Sequence, residues 1–399
     1  MRRNQLFALA TAGFAILQGC ADPAGLVNPG QSATRSLTPS WSQTVTGTTG
    51  EGADYSIHVP TNWNGDVVFY AHGIKDVAEP VGLTNQNNFN EIRDSLGVMG
   101  YAVAASSFSE NGWAVKDGIQ KTHQLRGLFT STAGKPKRSF LAGHSMGGLI
   151  TVALAEKYPQ QYDGALPMCG VLGGGQKQID YIANVRTVFD YFYPGVLPGN
   201  ALDMPADLPI APIIGAAQLA LVSNPTGAGA MARIAQTPIP FASGPELIQS
   251  IITAIAFGAR GAEDLLDRTH GHSPFGNNEP NYYTAVAPGL LPPGLLADLN
   301  ARAMHFDETP DAANYLSKYY DPTGELRVPT VSIHTTRDPV VPFFHESLYA
   351  GRTASHGAAN MLVQRSVNRY GHCAFTIGET LSAFRALTEW VETGNRPAF

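Results

Sequence analysis

Ser145 lies in the pentapeptide Gly143-His144-Ser145-Met146-Gly147, a spacing typical of a serine nucleophile. Glycine two residues before and after the serine lets the backbone turn sharply, so that the hydroxyl stands at the carboxyl end of a strand. The apolar run Phe140-Leu141-Ala142 predicts that strand, and residues 148–158 have the apolar spacing of a helix. The alternative interpretation is a serine in an ordinary glycine-rich turn.

A serine hydroxyl becomes a nucleophile only when a base removes its proton, and the base needs a carboxylate to orient it. Asp338 follows the predicted strand 328–334, and His372 lies between the last predicted strand and the last predicted helix. The sequence therefore predicts a catalytic triad in the chain order Ser145, Asp338, His372. Because such a triad acts without a metal or organic cofactor, we predict none.

Other histidines near these motifs are predicted to have supporting roles. His334 and His345 are alternatives to His372, but neither lies between the last strand and the last helix. We expect His72 to hold its own loop and His144 to pack beneath the serine turn.

Two further polar motifs are predicted to be structural. His270-Gly271-His272 is expected to form a loop, because no third metal ligand accompanies it at a suitable spacing. Arg337, beside Asp338, is expected to form a salt bridge in that loop.

Three motifs together resemble those of the α/β-hydrolase superfamily: Gly-His-Ser-Met-Gly-Gly at 143–148, Arg-Asp-Pro-Val-Val-Pro at 337–342, and Gly-His at 371–372 before the last helix. The resemblance covers roughly residues 50–175 and 325–395. It implies an α/β fold with a mostly parallel, doubly wound sheet and a triad in this order.

The resemblance also implies an oxyanion hole. Its two donors would be the backbone N–H of Ile74, after His72-Gly73, and that of Met146, after the nucleophile. A single glycine precedes Ile74, so the sequence departs from the esterase branch that carries a His-Gly-Gly-Gly run.

Alternating strand and helix patterns predict a parallel sheet, interrupted by about 150 residues of helical pattern between the strands 164–169 and 328–334. We interpret the interruption as a helical cap. The predicted organisation is a signal peptide (1–19), a tether (20–49), a first core part (50–175), the cap (176–325) and a second core part (326–399).

Apolar cap side chains either line a hydrophobic substrate pocket or pack the cap itself, and the sequence leaves both interpretations open. They are Ile213, Ile214, Leu219, Leu221, Ile248, Ile251, Ile252, Ile255 and Phe257. The tyrosines in Asn281-Tyr282-Tyr283 and in Tyr319-Tyr320 are candidates for a pocket entrance.

The N-terminus reads as a targeting signal, with Arg2 and Arg3 before an apolar stretch at 6–17 that is too short to span a bilayer. Leu17-Gln18-Gly19-Cys20 resembles a bacterial lipobox, which implies cleavage before Cys20 and lipidation of its thiol. The resemblance places the protein at the outer membrane, in the periplasm or facing outward; ordinary secretion is the alternative.

Cys169 and Cys373 then remain as an even pair in an exported chain. They either form a disulfide beside the site or stay as two buried thiols.

The formal net charge of −6 over 399 residues, with no basic patch, argues against nucleic acid as a partner. Membrane contact is expected only through the lipid anchor. The predicted function is an exported serine hydrolase that cleaves a small or polymeric carboxylic ester. The alternatives are a serine peptidase of the prolyl-oligopeptidase or aminopeptidase type, and a non-catalytic binding protein on the same fold.

Overall fold

The computed structural model describes residues 38–204, 209–284, 291–292 and 294–399. The predicted signal peptide, the lipidation site Cys20 and most of the predicted tether lie outside the described residues. Within the described ranges, no helix is both long enough and apolar enough to cross a membrane.

An eight-stranded sheet forms the centre of the molecule, in the order β1-β2-β4-β3-β5-β6-β7-β8. The strands are β1 (Trp41–Thr48), β2 (Asp54–Pro60), β3 (Asp66–Ala71), β4 (Ala102–Ser106), β5 (Arg138–His144), β6 (Gly164–Met168), β7 (Thr330–Arg337) and β8 (Leu362–Tyr370). Strand β2 is antiparallel to β1 and β4, and the remaining pairings are parallel. The carboxyl ends of β3, β5, β6, β7 and β8 therefore meet at one edge of the sheet.

Helices cover both faces of the sheet. They are α1 (Phe89–Val98), α2 (Val115–Ala133), α3 (Met146–Lys157), α4 (Gly175–Phe192), α5 (Ile210–Ser223), α6 (Pro225–Met231), α7 (Gly244–Arg268), α8 (Leu295–Arg302), α9 (Pro310–Tyr319), α10 (Phe344–Ser355) and α11 (Ile377–Thr393). Alternate residues of β3 divide between two apolar cores, since successive strand side chains point to opposite faces. Phe69 packs in the core with Phe129 of α2, and Tyr70 packs in the core with Phe384 of α11.

Every described element between β6 and β7 is a helix, from α4 to α9, as predicted for the cap. Helix α7 continues through Gly258 and Gly261 to Arg268. Glycine usually weakens a helix, but at Gly261 it allows another side chain to pack closely. A Cβ on Gly261 would lie 2.7 Å from Nε1 of Trp113.

Strand β1 lies inside 20–49, the segment predicted to be a tether, and this prediction is wrong for residues 41–48. The strand pairs with β2 along its length, and its residues alternate between half-buried and exposed. Its half-buried positions include Gln43 and Gly47, so the alternation is of burial and not of apolar and polar residue types. A hydrophobicity pattern cannot detect such a strand.

Candidate active site

Ser145 stands between the last residue of β5, His144, and the first residue of α3, Met146. Its backbone is strained, with φ 57° and ψ −123°, a conformation that costs about 1–3 kcal/mol. Two glycines permit this turn. A Cβ on Gly143 would overlap the carbonyl oxygen of Gly147, and a Cβ on Gly147 would overlap that of Ala71. At both glycines another part of the backbone comes so close that no side chain would fit, and the turn therefore requires glycine at these positions.

The loop after β3 lies directly against this serine. The position that a Gly73 Cβ would occupy is 3.3 Å from Cβ of Ser145, which brings the adjacent Ile74 to the site. Met146 is the first residue of α3, so its N–H has no intrahelical acceptor. Ile74 and Met146, the predicted oxyanion donors, are thus next to residues in contact with Ser145 or next to Ser145 itself.

A further residue beside Ser145, not predicted from the sequence, is Gln86, which belongs to a short 3-10 helix after this loop. Its Nε2 donates to the carbonyl of Ile74 at 2.9 Å and so holds the loop. Its Oε1 is buried without a partner among the described residues, and it lies 3.4 Å from the same Gly73 Cβ position. An unused acceptor therefore lies beside the nucleophile, although nothing in the local sequence signals it.

Asp338 and His372 are in contact: Nδ1 of His372 and Oδ2 of Asp338 are 2.7 Å apart. The other carboxylate oxygen, Oδ1, accepts the N–H groups of Val340 and Val341, each at 2.9 Å. Burial alone would raise the pKa of Asp338. The neighbouring rings of His372 and His334 outweigh burial and hold that pKa well below its usual range. The acid is therefore ionised and can orient His372 by accepting its Nδ1–H.

Ser145 is connected to His372 at the same edge of the sheet through β6. Its N–H donates to the carbonyl of Met168 at 2.9 Å, and the next residue, Cys169, is covalently joined to Cys373, the neighbour of His372. In the described part of the chain no hydrogen bond joins Oγ of Ser145 to His372, whose Nε2 lies 3.4 Å from Sγ of Cys373. Without substrate, catalytic hydrogen bonds are often long or poorly aligned.

The disulfide between Cys169 and Cys373 spans 204 residues of sequence, with the two Cα atoms 5.3 Å apart. Both cysteines have positive φ, 45° and 51°. One cysteine follows β6 and the other follows His372, so the bond joins the two core segments that carry Ser145 and His372.

The first cap helix supports the acid loop. From α4, Nε2 of Gln178 donates to the carbonyl of Val340 at 2.7 Å, and the Tyr181 hydroxyl donates to that of Pro339 at 3.0 Å. His345 fixes the Gln178 amide, because its Nδ1 accepts the N–H of Gly173 and its Nε2 donates to Oε1 of Gln178 at 3.0 Å. The cap is thus part of the site and not only a cover.

Two other histidines take the supporting positions expected of them. His72 faces the carbonyls of Gly73 and Ser107 and stacks on Phe108. His144 contacts the hydroxyl of Tyr70 at 2.9 Å beneath the turn. Both rings are buried, and burial lowers the pKa of His72 to about 4 and that of His144 to about 3.

The remaining predicted side chains lie elsewhere than expected. Arg337 forms a salt bridge at 2.7 Å with Glu246 of α7, outside its own loop. Tyr283 and Tyr320 are buried, and the hydroxyl of Tyr320 donates to the carbonyl of Trp113, so the prediction that they frame an entrance is wrong. Their aromatic rings gain more by packing in the cap core than by facing solvent.

Most of the apolar cap residues pack the cap. Those buried in its core are Ile213, Ile214, Leu221, Ile251, Ile252 and Ile255. Leu219 is exposed instead, and Ile248 and Phe257 are half-buried. His272 is exposed in the turn after α7, where its nearest carboxylate is that of Asp311 at 3.8 Å.

No protein-family model matches this chain. It is 21% identical to an o-phthalyl amidase of Xanthobacter agilis over 404 aligned residues, covering 87% of each chain.

Solved structures with a similar fold include an esterase of Pyrococcus furiosus, with 13% identity, a TM-score of 0.44, and coverage of 91% of this chain and 95% of the esterase. They also include an acylaminoacyl peptidase of Pyrococcus horikoshii, with 9% identity, a TM-score of 0.44, and coverage of 90% of this chain and 42% of the peptidase. The α/β-hydrolase fold predicted from the sequence is confirmed, with a mostly parallel sheet and helices on both faces.

Replacing Gly147 by alanine should destabilise the protein by about 3 kcal/mol, because the new methyl group overlaps the Ala71 carbonyl and the packed turn at Ser145 cannot relax. Gly127, inside α2 with open space around it, is the matched control. Gly127→Ala should stabilise by up to about 1 kcal/mol, the helix propensity difference. Urea unfolding measures both, and equal effects would contradict the close approach.

Stability should fall as the pH drops below about 6.5. Burial lowers the pKa of His72 to about 4 and those of His144 and His345 to about 3. Between these values and about pH 6.5, the unfolded chain therefore binds these protons and the folded chain does not. Each ring should lower the free energy of unfolding by up to about 1.4 kcal/mol per pH unit. Urea unfolding between pH 7 and pH 5 measures the slope.

The slope should become shallower in His144→Asn and remain unchanged in Ser131→Ala, at an exposed serine that does not titrate. A free energy of unfolding that stays constant over this range would contradict the neutral, buried rings.

Proposed function

We propose that the protein is a serine hydrolase that cleaves carboxylic esters through an acyl-enzyme on Ser145. The observation that carries the proposal is the contact between the buried, ionised Asp338 and Nδ1 of His372, at the sheet edge where Ser145 occupies a strained turn. An aspartate that only stabilises a turn would not need to be buried as Asp338 is, and a histidine with no function would not need to contact its carboxylate.

The proposed mechanism follows from these positions. Nε2 of His372 takes the Ser145 proton as Oγ attacks the substrate carbonyl carbon, and the carbonyl π electrons move to oxygen. The N–H groups of Ile74 and Met146 stabilise that oxyanion. The tetrahedral intermediate collapses, the alcohol leaves with the proton from His372, and water then hydrolyses the acyl-enzyme by the same steps.

Asp338 stabilises the transient charge on His372. Its Oδ1 is occupied by two backbone N–H groups, which leaves Oδ2 for Nδ1 of His372. The hydrogen bond fixes the tautomer that leaves the lone pair on Nε2, where the proton must be received.

Amide hydrolysis is the second candidate. It is supported by the 21% identity with an o-phthalyl amidase over most of both chains.

Ser145→Ala should abolish labelling by a fluorophosphonate probe and reduce kcat by about 10⁴-fold or more, since the covalent step is lost. Ser131→Ala, at an exposed serine of α2, is the control and should retain both. Turnover of p-nitrophenyl esters, aminoacyl nitroanilides and a phthalyl amide then distinguishes an esterase, a peptidase and an amidase. A wild-type protein that resists the probe and turns over none of these substrates would support the binding-protein alternative.

We also propose that the chain is exported and lipidated at Cys20. The charged, then apolar, N-terminus supports export, and a disulfide is typical of oxidising compartments. In a bacterial host, radiolabelled palmitate should label the wild type and Ser145→Ala but not Cys20→Ser. Loss of label in Ser145→Ala would place it at the nucleophile, and export without any label would favour ordinary secretion.

A further inference from the structure

His334 is a buried ring between two carboxylates, directly behind the catalytic acid. Its Nδ1 lies 3.0 Å from Oε1 of Glu346, and its Nε2 lies 2.8 Å from the carbonyl of Val341 and 3.5 Å from Oδ2 of Asp338. The His334 and Asp338 side chains are 0% exposed, and that of Glu346 is 4% exposed. The mechanism described above makes no use of His334 or Glu346.

The elements around this ring supply donors to Glu346 but acceptors to His334. From β7, the Ser332 hydroxyl donates to Oε1 of Glu346 at 2.6 Å, and from β8, Nε2 of Gln364 donates to Oε2 at 2.6 Å. Of the neighbouring ionisable groups, His372 lies beyond Asp338, and the buried ring of His345 precedes Glu346 on α10. Both carboxyl oxygens of Glu346 thus accept hydrogen bonds, as the oxygens of a carboxylate do.

Both nitrogens of His334 face acceptors, and a neutral imidazole has only one N–H to give them. Two N–H groups require an imidazolium. His72 also faces two acceptors, but they are backbone carbonyls, and burial lowers its pKa to about 4. Burial would lower the pKa of His334 too, but the neighbouring carboxylates of Asp338 and Glu346 raise it to about 10. The carboxylates make the difference between the two rings.

We propose that His334 is a permanently protonated positioning residue that, paired with Glu346, fixes the charge behind Asp338 and thereby sets the pH range in which His372 works. The second half of this proposal rests on the proposed function. The imidazolium lies 3.5 Å behind Oδ2 of Asp338 and attracts it, and Glu346 balances the positive charge, so that Asp338 keeps its full negative charge for His372.

The arrangement predicts opposite effects for the two partners. Glu346→Gln keeps an acceptor for Nδ1 but leaves the imidazolium uncompensated, so the cation weakens the field of Asp338 at His372. The acidic half-maximum of the kcat/KM profile should move down by about one pH unit. His334→Gln removes the cation and leaves two buried carboxylates, so this half-maximum should move up by a similar amount.

The double variant His334→Gln with Glu346→Gln removes one charge of each sign and should return the half-maximum close to its wild-type position. His272→Gln, at an exposed histidine far from these contacts, should leave the profile unchanged. Shifts of the same sign in both single variants, or lower kcat with no shift, would indicate a merely structural role and overturn the proposal.

Proton occupancy can be measured without activity. With ¹⁵N-labelled histidine, the wild-type spectrum should contain one imidazole that is protonated on both nitrogens at pH 8 and unchanged from pH 5 to pH 8. A spectrum with only neutral rings at pH 8 would overturn the proposal even if the variants fail to fold. Should the substrate panel and the probe both fail, the proposed function falls, and the spectrum still decides the state of His334.

Discussion

The burial of one charged carboxylate, that of Asp338, constrains the rest of the site. A buried charge is tolerated only when hydrogen bonds and opposite charges replace its water. Here two backbone N–H groups saturate Oδ1, and His372 takes Oδ2 with His334 behind it. Those N–H groups are available because the 338–341 loop is folded back, and its carbonyls are held in turn by Gln178 and Tyr181 of α4.

This requirement explains why the cap begins as it does. Twelve of the eighteen residues of α4 are buried, although the helix lies in the inserted segment, and its Gln178 and Tyr181 side chains reach the core loop instead of solvent. Arg337 adds a second connection by pairing with Glu246 on α7. These contacts join the insertion to the segment that carries Asp338, so the geometry of this carboxylate depends on helices of the insertion.

The sequence was most informative where the proposed function requires a particular local backbone conformation. Gly143 and Gly147 lie two residues before and after Ser145, so the turn could be predicted from this spacing and the flanking strand and helix patterns. The contact of Gly147 with Ala71 of the distant strand β3 was visible only in the structure. The positions of Asp338 and His372 followed from their places after strands. The pairing of His334 with Glu346 could not be predicted, because it depends on how α10 packs against β7, and neither residue type carries a local signal. Strand β1 was not predicted, because it includes polar residues at half-buried positions and is held in place by its pairing with β2.

The bond between Cys169 and Cys373 has a topological consequence. The whole cap lies inside the covalent loop that this disulfide closes, with Ser145 before the loop's first cysteine and Asp338 and His372 before its second. A protease that cuts a cap connection therefore separates the backbone into two fragments, one with the nucleophile and one with the acid and base. The disulfide keeps those fragments together as one covalent, two-chain molecule.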